Sequence, residues 1–198
     1  VERPEGGFLA AGETFSSGAG DGDAWLVQVN DEGELVWEGN YGGAEGDFAR
    51  SVVHCDAGGY LFAGATTTGG DEDAWVVRVD DFGETLWTSM QGGDSLDVAN
   101  SVVETNDGGF AVVGTTQSFN PVTEAYHFKV DASGVLVWQW NWGQVNDQES
   151  FDVKELPDGR FLSTGYVTSG GSGGRDMFIF FTLSDGDFER GVSNGGDD

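Results

Sequence analysis

Apolar and polar residues alternate along this chain in runs of four to eight residues, and each run is closed by Gly, Asp, Asn or Ser. In the run from Asp73 to Asp80, Trp75, Val77 and Val79 fall on one face of an extended strand, while Val76 and Arg78 take the other. Such runs are rich in Val, Phe, Trp, Leu and Thr, the composition expected of strands between tight turns. No stretch of ten or more residues carries a helical period. The pattern therefore predicts an all-β chain of short antiparallel strands.

The runs recur. A turn followed by an aromatic appears at Gly7-Phe8, Gly59-Tyr60, Gly109-Phe110 and Gly159-Arg160-Phe161, with 52, 50 and 51 residues between successive aromatics. Next come the runs Asp23–Val29, Asp73–Val79, Glu124–Val130 and Asp176–Leu183. Polar turns follow at Asn30–Gly33, Asp80–Gly83 and Asp131–Gly134, with a shortened Ser184–Gly186. A further run ends on Trp37, Trp87 or Trp138, with Phe188 as the nearest fourth equivalent. The unit closes on Ser-Val-Val at Ser51–Val53 and Ser101–Val103, degenerate at Asp152–Lys154. Four strands per unit of about fifty residues is the signature of a β-propeller blade. The expectation is a single β-propeller domain over 1–198, with four-stranded antiparallel repeats at approximately 1–46, 47–96, 97–147 and 148–198. Trp25, Trp75, Tyr126 and Phe178 are expected to fill the gaps between adjacent blades, and Trp37, Trp87 and Trp138 to do the same one strand further out.

Val1 aligns with Val53, and Asn194–Asp197 aligns with the Gly-Gly turn that precedes the Ser-Val-Val strand. About four blades are present, less most of one inner strand. The preferred expectation is a closed four-blade ring; the alternative is a piece of a larger array. The chain does not begin with Met and shows no signal peptide, which suggests a processed or trimmed product.

The pattern Asp80, Gly83, Trp87, Gly92, Gly93 resembles the repeat of secreted bacterial and archaeal β-propeller proteins. More loosely, it is similar to the tryptophan-docking blades of pyrroloquinoline-quinone-type propellers. Asn30, Gly33, Trp37, Gly42 and Gly43 repeat it with Asn first; Asp131, Gly134, Trp138 and Gly143 repeat it with Gln144 replacing the second Gly. The resemblance implies a fold and a secreted setting, not an activity. A quinone-dependent enzyme is its weakest implication, because adjacent cysteines and a full set of blades are missing from the sequence.

Charge then narrows the partners. The 35 acidic and 8 basic residues leave a net charge of −27. A nucleic-acid partner is excluded for want of a basic patch, and an anionic membrane surface is disfavoured likewise. No apolar run approaches the ~20 residues that a membrane-spanning helix needs. Self-repulsion on this scale destabilises a compact state in dilute buffer and is screened at high salt. An acidic surface almost free of Lys fits a protein of a salt-loving organism, placed outside the cell or on its surface. Cys55 is the single cysteine, so the chain has no internal disulfide.

Three kinds of residue are candidates for chemistry. The acidic turns at Asp21 and Asp23 and at Asp71 and Asp73 could supply oxygen ligands to Ca²⁺, although turn formation explains them more simply. Trp140 and Trp142 break the repeat and share a strand face with Trp138; exposed, they would suit a sugar ring, and packed, they would fill one gap between blades. His54, Cys55 and His127 form neither a zinc set nor a nucleophile–base pair by position. The expectation is a non-catalytic extracellular binding or surface-assembly module with no required cofactor. Its partner would be a protein or glycan surface, or a second copy. The alternative is a carbohydrate- or calcium-binding module, and an enzyme, quinone-dependent or hydrolytic, ranks last. The loops around Asp21, Asn120 and Gly170, where the copies differ, are the other places to look.

Overall fold

In the computed structural model the described residues are 1–143, 146–168 and 174–194. Gln144, the Gly170 loop and the turn expected at 195–197 lie outside them. Among the described residues the chain forms fifteen strands and no helix. The strands are β1 (Phe8–Thr14), β2 (Asp23–Val29), β3 (Leu35–Tyr41), β4 (Asp47–His54), β5 (Tyr60–Thr68), β6 (Asp71–Val79), β7 (Thr85–Gln91), β8 (Asp97–Glu104), β9 (Phe110–Thr116), β10 (Glu124–Val130), β11 (Leu136–Trp142), β12 (Gln148–Glu155), β13 (Phe161–Thr168), β14 (Arg175–Thr182) and β15 (Phe188–Asn194). They make four antiparallel meanders, β1–β3, β4–β7, β8–β11 and β12–β15, each sheet formed by one continuous stretch of chain.

Among the described residues the first sheet has three strands, and residues before β1 hold the end of the inner strand's place. Glu2 bridges Phe8, and the Leu9 amide donates to the Val1 carbonyl at 2.9 Å. His54 opposite Tyr60 and Val53 opposite Leu61 are the matching pairs in the second sheet. Val1 thus stands at the register of Val53.

Each complete sheet bulges on its inner strand, between Ala49 and Ser51, Ala99 and Ser101, and Ser150 and Asp152. Opposite the bulge lies Gly64, Gly114 or Gly165. A Cβ at any of these would sit 1.8 Å from the carbonyl oxygen of Phe48, Val98 or Glu149, so only glycine fits. Gly12 is the equivalent in the first sheet, and nothing lies within 4 Å of its Cβ position.

Neighbouring sheets meet through their faces. Trp75, Val77 and Val79 pack with Leu9, Leu26 and Phe62 between the first and second sheets. Ala74 and Val76 turn the other way, to Tyr126, Phe128 and Val130 of the third. Ala125 of the third meets Phe178 and Phe180 of the fourth. Burying an aromatic removes ~150–250 Å² from water, so these rings dominate the joints. Hydrogen bonds tie the inner strands together: Arg50 to Asn100, and the Asn100 amide to the Ser150 carbonyl at 2.8 Å. Ser101 also donates to Asp152 at 3.0 Å.

The Asp-x-x-Gly turn and the Trp of the repeat form a joint of their own. Gly83, Gly134 and Gly186 all have positive φ, and a Cβ on them would sit about 2.5–3.0 Å from the ring of Trp37, Trp87 or Trp138 respectively. Each Trp therefore docks on the turn glycine of the following sheet. The Trp87 and Trp138 indoles donate to the carbonyls of Ala132 and Ser184, at 3.1 and 3.3 Å.

The end sheets differ from the middle pair. β10 is buried along its whole length and β6 from Ala74 onward, whereas β14 buries alternate residues and β2 does so beyond Asp23 and Ala24. Phe8 is 52% exposed, while its counterparts Tyr60, Phe110 and Phe161 are buried. On the fourth sheet Met177 and Val192 are 56% and 60% exposed. Among the described residues the two outer sheets are thus less covered than the middle pair.

Candidate functional site

The expected gap-filling residues divide by position along the series of sheets. Trp75, Tyr126 and Phe178 are buried, each against the sheet before its own. Trp25 stays half-buried, with no sheet packed before its own among the described residues, and its indole donates to Glu38 at 3.2 Å. Trp37, Trp87 and Trp138 sit half-buried at the joints.

Trp140 and Trp142 do not form an open stacking platform. Trp140 lies against Phe180 and Phe188, and Trp142 against Phe178 and Phe180 at 6.0 and 4.2 Å between centroids. The fourth sheet covers both, and Phe178 stacks on Phe180 beneath them at 4.1 Å. Behind Trp140 is His127, buried, with its Nε2 2.7 Å from the Ser150 hydroxyl. Burial pushes the His127 pKa down to about 3, which keeps the ring neutral. Among the described residues no third group orients the pair, and both residues are shut away from solvent.

The acidic turns serve the hairpins. Asp23 is buried and accepts from the amides of Ala19 and Gly20 at 3.2 and 3.3 Å. Asp21 and Asp71 are exposed. Asp73 flanks Gly92 together with the buried Asp97, and burial followed by the Asp97 charge raises its pKa. The Asn120 loop closes on Glu124, whose Oε1 accepts from the Asn120 amide at 2.6 Å. Among the described residues no three His, Cys, Asp or Glu side chains are grouped to hold a metal ion. Cys55 is buried, and burial drives its thiol pKa up to about 12, the direction opposite to a reactive thiolate.

One cavity stands apart from these packing features. It lies between the first and second sheets, is about 440 Å³ in volume, and is lined by Arg3, Glu5, Gln28, Val36, Trp37, Asp81 and Phe82. Position 28 corresponds to Arg78 and Lys129 in the next two sheets. Arg78 donates to the carbonyls of Gly58, Tyr60 and Val79, and Lys129 pairs with Asp107. The Lys129 ammonium and the Thr105 hydroxyl bring the Asp107 carboxyl down to about 2. In the first sheet Arg3 takes over that task from the turn, donating to Gly6 O at 3.1 Å and to the Tyr60 hydroxyl at 2.7 Å. Gln28 is then left 3% exposed with no partner for its Oε1. Trp37 Nε1 is also without a partner, unlike its two counterparts. An orphaned buried polar atom costs about 1–3 kcal/mol, and these are two of eight among the described residues. The departure is visible in the aligned repeats as Gln among basic residues, but only the cavity gives it meaning.

These features define an all-β repeat protein of blade-like antiparallel sheets, joined by a Trp seated on the turn glycine of the next unit. Among solved structures the chain is similar to a protein of unknown function from Dyadobacter fermentans DSM 18053, at 16% identity and a TM-score of 0.62 over 98% of this chain and 63% of that one. At that identity the likeness shows the fold alone. The chain spans less than two thirds of that protein's length. A protein of unknown function from Bacteroides caccae aligns at 13% identity over 96% of this chain and 94% of that one, with a TM-score of 0.34, too low to establish a shared fold. No protein-family model and no curated protein matches the chain.

Proposed function

We propose that the chain is a non-catalytic interaction and assembly module, a stretch of a longer propeller-type array that works outside the cell in a salt-rich medium. The observation that carries this reading is the unfilled place beside β1. Gly12 keeps the glycine that the other sheets need opposite an inner strand, yet among the described residues nothing lies within 4 Å of its Cβ position. Phe8, Trp25 and Gly33 present the face that a preceding Trp-bearing sheet covers elsewhere in the array. The partner this surface suits is a further blade of the same repeat type, supplied by the same polypeptide or by another. The net charge of −27 supports a high-salt setting and argues against nucleic acid. Among the described residues no helix is long and apolar enough to cross a membrane.

The test is strand addition in trans. Since the Leu9 amide faces the open edge, alternation sends the Ala11 and Glu13 amides the same way. A peptide with the sequence of residues 47–54 is added to the chain in molar KCl, and amide exchange is read residue by residue. Protection should appear at Ala11 and Glu13 and be lost in Gly12→Val, which fills the space for the inner carbonyl. Unchanged exchange at both amides, or equal protection in Gly12→Val, would sink the reading.

A further inference from the structure

We propose that a second copy of this chain docks head to tail on the fourth sheet, with Arg190 seated against the Gly33 turn of that copy. By sequence Phe188 is the nearest equivalent of the three docking tryptophans; strand register gives that place to Arg190. Phe181 lies opposite Arg190 as Gln28, Arg78 and Lys129 lie opposite Trp37, Trp87 and Trp138. Arg190 also stands four residues after its turn glycine, Gly186, as each Trp stands after Gly33, Gly83 or Gly134. Ring and cation have thus changed strands. The second and third sheets set a basic residue on the middle strand opposite a Trp, and the fourth sets Phe181 opposite an arginine. The Arg190 guanidinium lies 4.5 Å from the Phe181 centroid and is exposed. Among the described residues it makes no ion pair.

The first sheet carries the matching half. In the joints within the chain, a docked Trp meets the turn glycine, the residues beside it and the first aromatic of the same sheet. Trp87 packs on Phe110 and Trp138 on Phe161, at 6.1 and 5.9 Å between centroids, and Trp37 borders Asp81 and Phe82. On the first sheet the corresponding aromatic is Phe8, 52% exposed, and the residues beside Gly33 are Asp31, Glu32 and Glu34, all exposed. The Gly83 and Gly186 turns carry two carboxylates at these places and the Gly134 turn none. The one arginine among the docking residues therefore answers the one turn with three carboxylates. A guanidinium stacks on a ring by its face and bonds carboxylates along its edge, so Arg190 satisfies Phe8 and the acidic turn together. The inference rests on the reading of the first sheet as a face that takes a further blade, and it names that blade.

The experiment is sedimentation equilibrium of the chain in molar KCl, which screens the long-range repulsion between copies of charge −27 and weakens a close contact less. Association should be measurable below about 1 mM. Arg190→Glu, and Glu32→Lys combined with Glu34→Lys, should each weaken it about tenfold or more. All three positions are exposed, so both proteins should keep the parent circular dichroism spectrum. Mixed in equal amounts, the two should associate as the parent does, because each offers the charge that the other lacks. A monomer up to that concentration overturns the inference. So does association that ignores Arg190→Glu, and so does a mixture no stronger than either variant alone, which would mean that like faces meet. Peptide protection at Ala11 and Glu13 without Arg190-dependent association overturns this inference and leaves the strand-addition reading standing.

Discussion

Replacing Gly134 by Ala probes the joint between blades, and Gly33 provides the internal control. Both glycines occupy the same position of the same turn, with φ of +85° and +80°. In this left-handed region an L-residue pays roughly 1–2 kcal/mol. Gly33→Ala should cost that amount and no more, because nothing lies within 4 Å of its Cβ position. At Gly134 the added methyl would come 2.6 Å from Trp87 Cε3 and 2.9 Å from Cζ3. The ring cannot retreat freely: it packs on Phe110 at 6.1 Å between centroids, and its N–H is held by the Ala132 carbonyl at 3.1 Å. Overpacking of this kind adds about 1–3 kcal/mol. Gly134→Ala should therefore lose about 2–5 kcal/mol in total, measured by urea unfolding at constant molar KCl with circular dichroism as the probe. In a Trp87→Ala background the excess over Gly33→Ala should vanish, since the methyl then meets no ring. The reasoning is refuted if the two glycine variants agree within about 0.5 kcal/mol, or if the excess persists without Trp87.

Two further outcomes concern the solvent. Thermal stability should rise from dilute buffer to molar KCl, because screening relieves the repulsion among charges summing to −27; melts that are flat or falling over that range refute it. His127 should make the chain acid-sensitive. Its folded pKa of about 3 lies below the unfolded value of about 6.5, so its contribution is complete above pH 6.5 and drains away as pH falls toward 3. The slope approaches about 1.4 kcal/mol per pH unit, and His127→Gln should remove that part of it between pH 6.5 and 5; an unchanged slope refutes the buried neutral ring.

The strand pattern was legible because each run alternates or is bounded by turns, and those are local properties. The repeat was legible because Trp37, Trp87 and Trp138 recur with their glycines at fixed offsets. The direction of docking was not, because the partner of Trp87 is Gly134, forty-seven positions downstream and in the next unit, rather than the nearer Gly83. The uneven cover of the units was not legible either: Phe8 is 52% exposed where Tyr60, Phe110 and Phe161 are buried. Trp140 and Trp142 break the repeat, which by itself suits an open sugar surface or a packed gap between blades. Their partners are Phe178, Phe180 and Phe188, an equally irregular set on the neighbouring sheet. The cavity was hidden for a related reason. Gln28 is unremarkable as a residue and becomes informative only once Arg3 is seen doing the work that falls to Arg78 in the next blade.

The seating of each indole on the glycine of the following unit has an evolutionary corollary. Plug and socket are encoded in the same fifty-odd residues, so duplicating one unit copies a matched interface along with the fold. An array of this kind can lengthen or shorten by whole units without reinventing a contact, and it has a direction, since one end offers sockets and the other must offer plugs. Here the leading end retains its socket at Gly33, while the trailing unit carries Arg190 where the plug should be. The two outer units therefore differ in what they offer a neighbour: a socket at one, an arginine in the plug's position at the other.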